Sequence, residues 1–213
     1  MPTLSTILEE KEVNPPFTYA ISNRSLFPGV SAQNYLQALF QAPAQMIQWR
    51  EKDLSRDENR PFVRAGVKLS KKSGKIFLLN SDFELGLQER TDGAHLTSQQ
   101  NLETATRMRE AFGIGRFLLG KSVHSISGVL DAEKQGADYV LLAPIFDPIS
   151  KASHTSALGL EVLQEAAETV SIPVVALGGV SEENAYLAFE AGAFAVAGIS
   201  WVYPHVLRTL SES

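Results

Sequence analysis

Gln48, Arg50 and Lys52 in "IQWREK" stand two residues apart, so wherever this stretch is extended an amide, a guanidinium and an ammonium face the same way. Two cations and an amide donor suit an anionic, phosphorylated small molecule. Met46, Ile47 and Trp49 are apolar, which puts the triplet at the end of a buried strand rather than on a solvated face. Gly178 and Gly179 in "ALGGVSEEN" precede a helix, and "AGIS" leads through Ile199 and Ser200 into another. Backbone N–H groups at such helix starts can hold phosphate, although two tight turns would also use glycine. His124 in "GKSVHSIS" is a side chain able to move protons near neutral pH. A structural or capping histidine fits it equally, and His95 and His154 compete for the role. Lys151, in the long loop "APIFDPISKASHTSALGLE", could close on a phosphate from above or simply be solvated. Asp82, Glu84, Asp92 and Asp147 show no ligand spacing, whereas Mg²⁺ would want one or two carboxylates plus substrate phosphates.

These residues need elements to position them. Short apolar runs at 17–22, 45–50, 75–80, 93–96, 116–123, 137–143, 172–178 and 194–200 read as buried parallel strands. Helical patterns fall between them at 32–41, 56–72, 82–89, 99–111, 127–135, 160–169 and 182–191, with a last one after Ser200. Ser55 and Ser181 sit where helix starts are expected, and Gly136 and Gly192 just past helix ends. About eight strands alternating with helices in one domain predict an α/β fold, a single (β/α)₈ TIM barrel, with an open doubly wound sheet as the alternative. In a barrel the chemistry lies at the C-terminal strand ends. Gln48, Arg50, Lys52, Asn80, His95, Ser122, His124, Lys151, Gly178, Gly179 and Ser200 all map there, and for His124 that strand-end position is what favours a catalytic role. Residues 1–16, polar and ending in Pro15 and Pro16, read as an arm laid against a domain spanning 17–213.

Composition sets the remaining bounds. The chain has 213 residues, 44% of them hydrophobic and 20% charged, which allows a substantial core in one domain. A net charge of -5 argues against a general grip on nucleic acid or an anionic membrane. The absence of cysteine removes disulfides, thiolate nucleophiles and thiolate metal sites together. With neither a basic leader before an apolar run nor a stretch of about 20 apolar residues, a cytoplasmic protein is expected. A homo-oligomer is compatible with the sequence.

In order, "IQWREK", "LLN", "GAHL", "GKSVHS", "GADYVLLAPIF", "LGLE" and "IPVVALGGVSEENAYLAFEAGAFAVAGIS" resemble the motifs of the thiamine phosphate synthase/TenI family over roughly residues 17–203. The resemblance implies a TIM barrel binding thiazole phosphate, with the phosphate at Gly178, Gly179, Ile199 and Ser200. In the synthase branch a thiazole alcohol would attack an aminopyrimidine diphosphate with release of pyrophosphate, aided by Mg²⁺. Gln48, Arg50, Lys52 and Asn80 then match the diphosphate grip, and Ser122 and Lys151 match functional positions of the fifth strand and the flexible loop. Departures are plain: Ser81 stands where the family has a metal-binding aspartate, "TSQQNL" lacks the second acid, and the loop reads "PISK" with Pro148 and Ser150 for threonines. Asp82 is the acid that could substitute as a metal ligand. These losses resemble the TenI branch, which implies a cofactor-free thiazole tautomerase with His124 as acid and base. That reading is placed first, the synthase is its alternative, and a non-catalytic thiazole-phosphate-binding regulator is the third.

Overall fold

In the computed structural model, residues 4, 16–113, 116–147 and 156–211 are described. Each apolar run forms a strand: β1 Phe17–Ile21, β2 Met46–Trp49, β3 Ile76–Asn80, β4 Gly93–Leu96, β5 Leu118–Val123, β6 Tyr139–Leu142, β7 Val174–Leu177 and β8 Ala195–Gly198. Neighbours pair in parallel in chain order, and β1 also pairs with β8, so the sheet closes on itself. Helices follow the strands one for one: α1 Ala32–Gln41, α2 Arg56–Ser73, α3 Phe83–Glu89, α4 Leu102–Phe112, α5 Ile126–Lys134, α6 Gly159–Thr169, α7 Ala185–Glu190 and α8 Tyr203–Ser211. The fold is a (β/α)₈ barrel. No helix among the described residues is long and apolar enough to cross a membrane.

Local chemistry explains most boundaries. Ser31, Ser55, Asp82, Asn101 and Ser125 each accept a hydrogen bond from a backbone N–H of the helix they start, satisfying donors that have no partner within the helix. Ser55 and Glu58 form a reciprocal capping box. The seventh helix starts three residues later than its pattern predicts. Asn184 explains the delay: its Oδ1 accepts from the Ser181 N–H and its Nδ2 donates to the Gly179 carbonyl, so the segment 181–184 serves the loop instead.

Two cores sandwich the sheet. Outward residues such as Ile47, Trp49, Phe77 and Leu79 pack beneath the helices. Inward residues fill the barrel: Phe17, Tyr19, Met46, Ile76, Leu78, Leu118, Tyr139, Val175 and Ala195 form one buried cluster, which Leu4 of the N-terminal segment joins. Gly120 lets Tyr139 cross this interior, since a Cβ there would lie 2.1 Å from the tyrosine ring. Toward the C-terminal strand ends the filling changes from apolar to polar, with Gln48, Asn80, His95 and Ser122 continuing the inward rows.

Candidate active site

The inward rows end around a cavity of about 240 Å³, lined by Gln48, Arg50, Lys52, Asn80, His95 and Ser122 over an apolar rim that includes Ile21, Leu141, Leu177 and Ile199. β2 stops at Trp49, yet Arg50 and Lys52 keep the facing of Gln48. The intervening residues explain it. Glu51 points the other way, is buried, and accepts from Ser22 Oγ at 2.5 Å and from the Arg24 N–H at 3.1 Å. Ser22 Oγ in turn accepts from the Arg50 N–H at 2.7 Å, so the end of β1 holds the alternation beyond the strand. Burial raises the Glu51 pKa, against the opposing pull of Ser22 and Arg24.

Among the described residues, Arg50 and Lys52 have no carboxylate partner. Two uncompensated cations therefore face the cavity beside two amides, an arrangement suited to an oxyanion of high charge.

Beneath them lies a buried chain of polar groups. Gln48 Nε2 donates to the Tyr19 hydroxyl at 2.8 Å, and Tyr19 and Tyr139 hydroxyls meet at 3.0 Å. Tyr139 reaches His95 Nδ1 at 3.0 Å, and His95 Nε2 lies 2.8 Å from Ser122 Oγ. Burial, reinforced by the charge of Lys121, pushes the His95 pKa down to about 3, so its ring is neutral at ordinary pH. Burial also raises both tyrosine pKa values. Tyr19 and Tyr139 carry no motif signal; only their inward parity on β1 and β6 marks them.

His124 lies elsewhere. β5 ends at Val123 and the chain turns into α5, so His124 leaves the inward row and lines a neighbouring groove with Lys121, Ser125 and Asp131. Ser122 borders both spaces. His124 Nδ1 is 2.7 Å from the Ala143 carbonyl. A carbonyl accepts only, so Nδ1 carries a proton, and Nε2 has no hydrogen-bond partner among the described residues. Lys151 and His154, with Pro148 and Ser150, lie outside the described residues.

The donor set next to Asn80 does not fit the Mg²⁺ that the synthase resemblance implies. Ser81 adopts a left-handed backbone, φ 64°, and its hydroxyl accepts from Asn80 Nδ2 at 2.7 Å. Gln100 fills the adjacent space: its Oε1 accepts from the Thr97 N–H at 3.0 Å and its Nε2 donates to the Ser81 carbonyl at 2.8 Å. Asp82, the expected substitute ligand, is turned away. Its carboxylate caps α3 through the Leu85 N–H and accepts from Arg56 Nε and Nη2 at 2.7 and 2.6 Å. Among the described residues no three His, Asp or Glu side chains are grouped to hold a metal ion.

On the opposite rim, Gly178 (φ 92°) and Gly179 (φ 64°) follow β7. A Cβ at Gly179 would meet the Asp147 carbonyl at 2.3 Å, so close packing against the loop after β6 already requires glycine there. The β7–β8 pairing sets this turn beside Ile199 and Ser200. Ile199 lines the cavity.

Fold and site together are those of a TIM-barrel protein with a cation-lined cavity at the C-terminal barrel mouth, the position at which such barrels carry their active sites. A sequence model described as "Thiamine monophosphate synthase" matches residues 18–202. The thiamine-phosphate synthase of Chloroflexus aurantiacus is 32% identical over 187 residues, covering 86% of this chain and 83% of that protein. That of Chlorobium luteolum is 36% identical over 159 residues, covering 75% and 74%. Among solved structures, thiamine phosphate pyrophosphorylase from Pyrococcus furiosus superimposes with a TM-score of 0.73 at 27% identity, covering 92% of this chain and 96% of the other. The chain is an enzyme of the thiamine monophosphate synthase family.

Proposed function

We propose that this enzyme of thiamine biosynthesis couples a thiazole phosphate to an aminopyrimidine diphosphate and releases pyrophosphate. The resemblance implies attack by the thiazole alcohol, but that oxygen already carries the phosphate in this substrate and cannot be the nucleophile. The ring nitrogen forms the new bond to the exocyclic methylene carbon of the pyrimidine. The C–O bond to the diphosphate breaks, and its electron pair leaves with pyrophosphate.

The observation that carries this reading is the wall of Gln48, Arg50, Lys52 and Asn80, whose two cations have no carboxylate partner among the described residues. Negative charge on the bridging oxygen grows as the C–O bond breaks, so fixed cations there stabilise the transition state more than the ground state. Gly178, Gly179, Ile199 and Ser200 would hold the thiazole phosphate through backbone N–H groups, and Lys151 would approach from the loop. Ser122 would contact the ring system between the two anions. The names of the relatives support this reading over the tautomerase.

The tautomerase remains a second reading on one observation: the Ser81 and Gln100 environment does not fit a metal, which suits cofactor-free proton transfer. His124, whose Nε2 has no partner among the described residues, would then be the acid and base. Incubating the protein with both synthase substrates, with and without Mg²⁺, and measuring thiamine phosphate and pyrophosphate in equal amounts tests the proposal. Failure to form either product, with turnover of a thiazole carboxylate phosphate that His124→Ala abolishes, would replace it with the second reading.

A further inference from the structure

We infer that the buried row Gln48, Tyr19, Tyr139, His95, Ser122 is a polarity lock, in which the Gln48 amide fixes the His95 tautomer and commits Ser122 to donate its hydrogen to a bound ligand. Tyr19 and Tyr139 are positioning residues of this lock. The argument is an accounting of protons. Gln48 Nε2 can only donate, so Tyr19 accepts there. Among the described residues its own hydrogen has one remaining partner, the Tyr139 oxygen at 3.0 Å. Tyr139, having accepted, donates to His95 Nδ1. A neutral imidazole carries one N–H, which must then be on Nε2 and point at Ser122 Oγ. Ser122, having accepted, keeps its hydrogen for the spaces it borders, and we assign it to the barrel-mouth cavity, which it shares with His95.

Any break in this sense would set two hydrogens or two lone pairs face to face at one of the links. Tyr19 and Tyr139 have no exposure, so water is not at hand to repair a break at their link in the middle of the row. The complete reversal is the one other state with every group satisfied. Turning the Gln48 amide would make Tyr19 a donor to it, shift His95 to the Nδ1–H form, and convert Ser122 into a donor to the ring. Gln48 and Ser122 both line the cavity, so the wall that faces the anion and the wall that faces the ring are linked through the interior. Given the proposed reaction, the ligand atom next to Ser122 is an acceptor, a ring nitrogen or an anionic oxygen. The lock itself rests on the ligand-free geometry and stands apart from that reading.

The test is long-range ¹H–¹⁵N correlation on histidine-labelled, ligand-free protein, which distinguishes the two neutral tautomers and the cation. Wild-type His95 should be the Nε2–H tautomer. Gln48→Glu replaces the donor with a carboxylate, held ionised beside Arg50 and Lys52, and should switch His95 fully to Nδ1–H. Adding Tyr19→Phe to Gln48→Glu should cancel the switch, giving the His95 spectrum of Tyr19→Phe alone. A purely structural role for these residues would not move the tautomer in this pattern. An Nδ1–H or charged His95 in wild type overturns the lock, and so does an unchanged His95 in Gln48→Glu while the other histidine signals show a folded protein. If Gln48→Glu does not fold, the wild-type tautomer still decides. Because no substrate is present, failure here is distinct from failure of the synthase assay.

Discussion

Two arginine-bearing faces adjoin the β2–α2 turn, and they handle charge in opposite ways. On the outer face, Arg56 is paired with Asp82 and Glu84, and Arg60 and Arg64 share Glu89 at 2.5 and 2.7 Å. On the cavity face, Arg50 and Lys52 have no carboxylate among the described residues. The outer pairs tie α2 to α3 and neutralise one another. The inner cations keep their field for a ligand, at the expense of mutual repulsion in the free protein. The contrast also explains the fate of Asp82: it belongs to the neutralised face.

The largest effect should come from removing a cavity cation that has no carboxylate partner among the described residues. Arg50→Ala should lower kcat/KM for the diphosphate substrate by roughly 100-fold or more, the ~3 kcal/mol expected for a charge-assisted contact that strengthens as charge develops. Steady-state kinetics with each substrate varied checks this, and KM for thiazole phosphate should change little. An equal loss toward both substrates would mean that Arg50 maintains the cavity rather than gripping diphosphate.

Buried His95 provides the next effect. Its pKa falls from 6.5 to about 3 on folding, so between these values the unfolded chain binds a proton that the native protein does not. Stability from this group is therefore complete above pH 6.5 and declines as pH falls toward 3. Between pH 7 and pH 5 the linkage amounts to about 2 kcal/mol. Urea unfolding at the two pH values should show this loss in wild type, and His95→Gln should lack that component.

These contrasts show where sequence reasoning carries and where it stops. Strands and helices were legible because apolar runs and 3.6-residue patterns record which face is buried, and the ends differ by a few residues. Strand-end position put Asn80, His95 and Ser122 at the mouth and parity put Gln48 there, where all four line the cavity. Parity extends past β2 to Arg50 and Lys52 because Ser22 and Glu51 hold the chain extended there. It does not extend past β5 to His124, because the Ser125 cap turns the chain into α5. The partner of Asp82 was illegible for another reason: Arg56 lies 26 residues away, and only the packing of α2 on α3 joins them. Tyr19 and Tyr139 were hidden because an inward tyrosine on a strand resembles any other core aromatic.

Restoring acids to the cavity face would sharpen the comparison further. Ser81→Asp with Gln100→Asp places two carboxylates where the Gln100 amide now bridges to the Ser81 carbonyl. Aspartate tolerates the left-handed backbone at 81 better than most residues. The double variant should bind Mg²⁺ in calorimetry with pyrophosphate present, and its turnover should rise about tenfold on metal addition, roughly 1.4 kcal/mol. A lack of metal binding would mean that the shape of this wall, beyond its missing charge, excludes the ion.

The smallest change is expected on the neutralised face. Arg64 is 61% exposed on its side chain and shares Glu89 with Arg60, so its loss leaves that carboxylate one partner. Solvent screens such a pair, and holding two long side chains in one geometry costs entropy that offsets the attraction. Arg64→Gln should therefore leave kcat/KM and the urea midpoint unchanged within error, at low and at high salt. A clear drop in kcat/KM without a change in midpoint would break the division between the two faces, because it would mean that charge on α2 reaches the cavity. In that case Arg50 and Lys52 would act as the inner part of a larger field, and the arginine pairs would be tuning it rather than only fastening two helices.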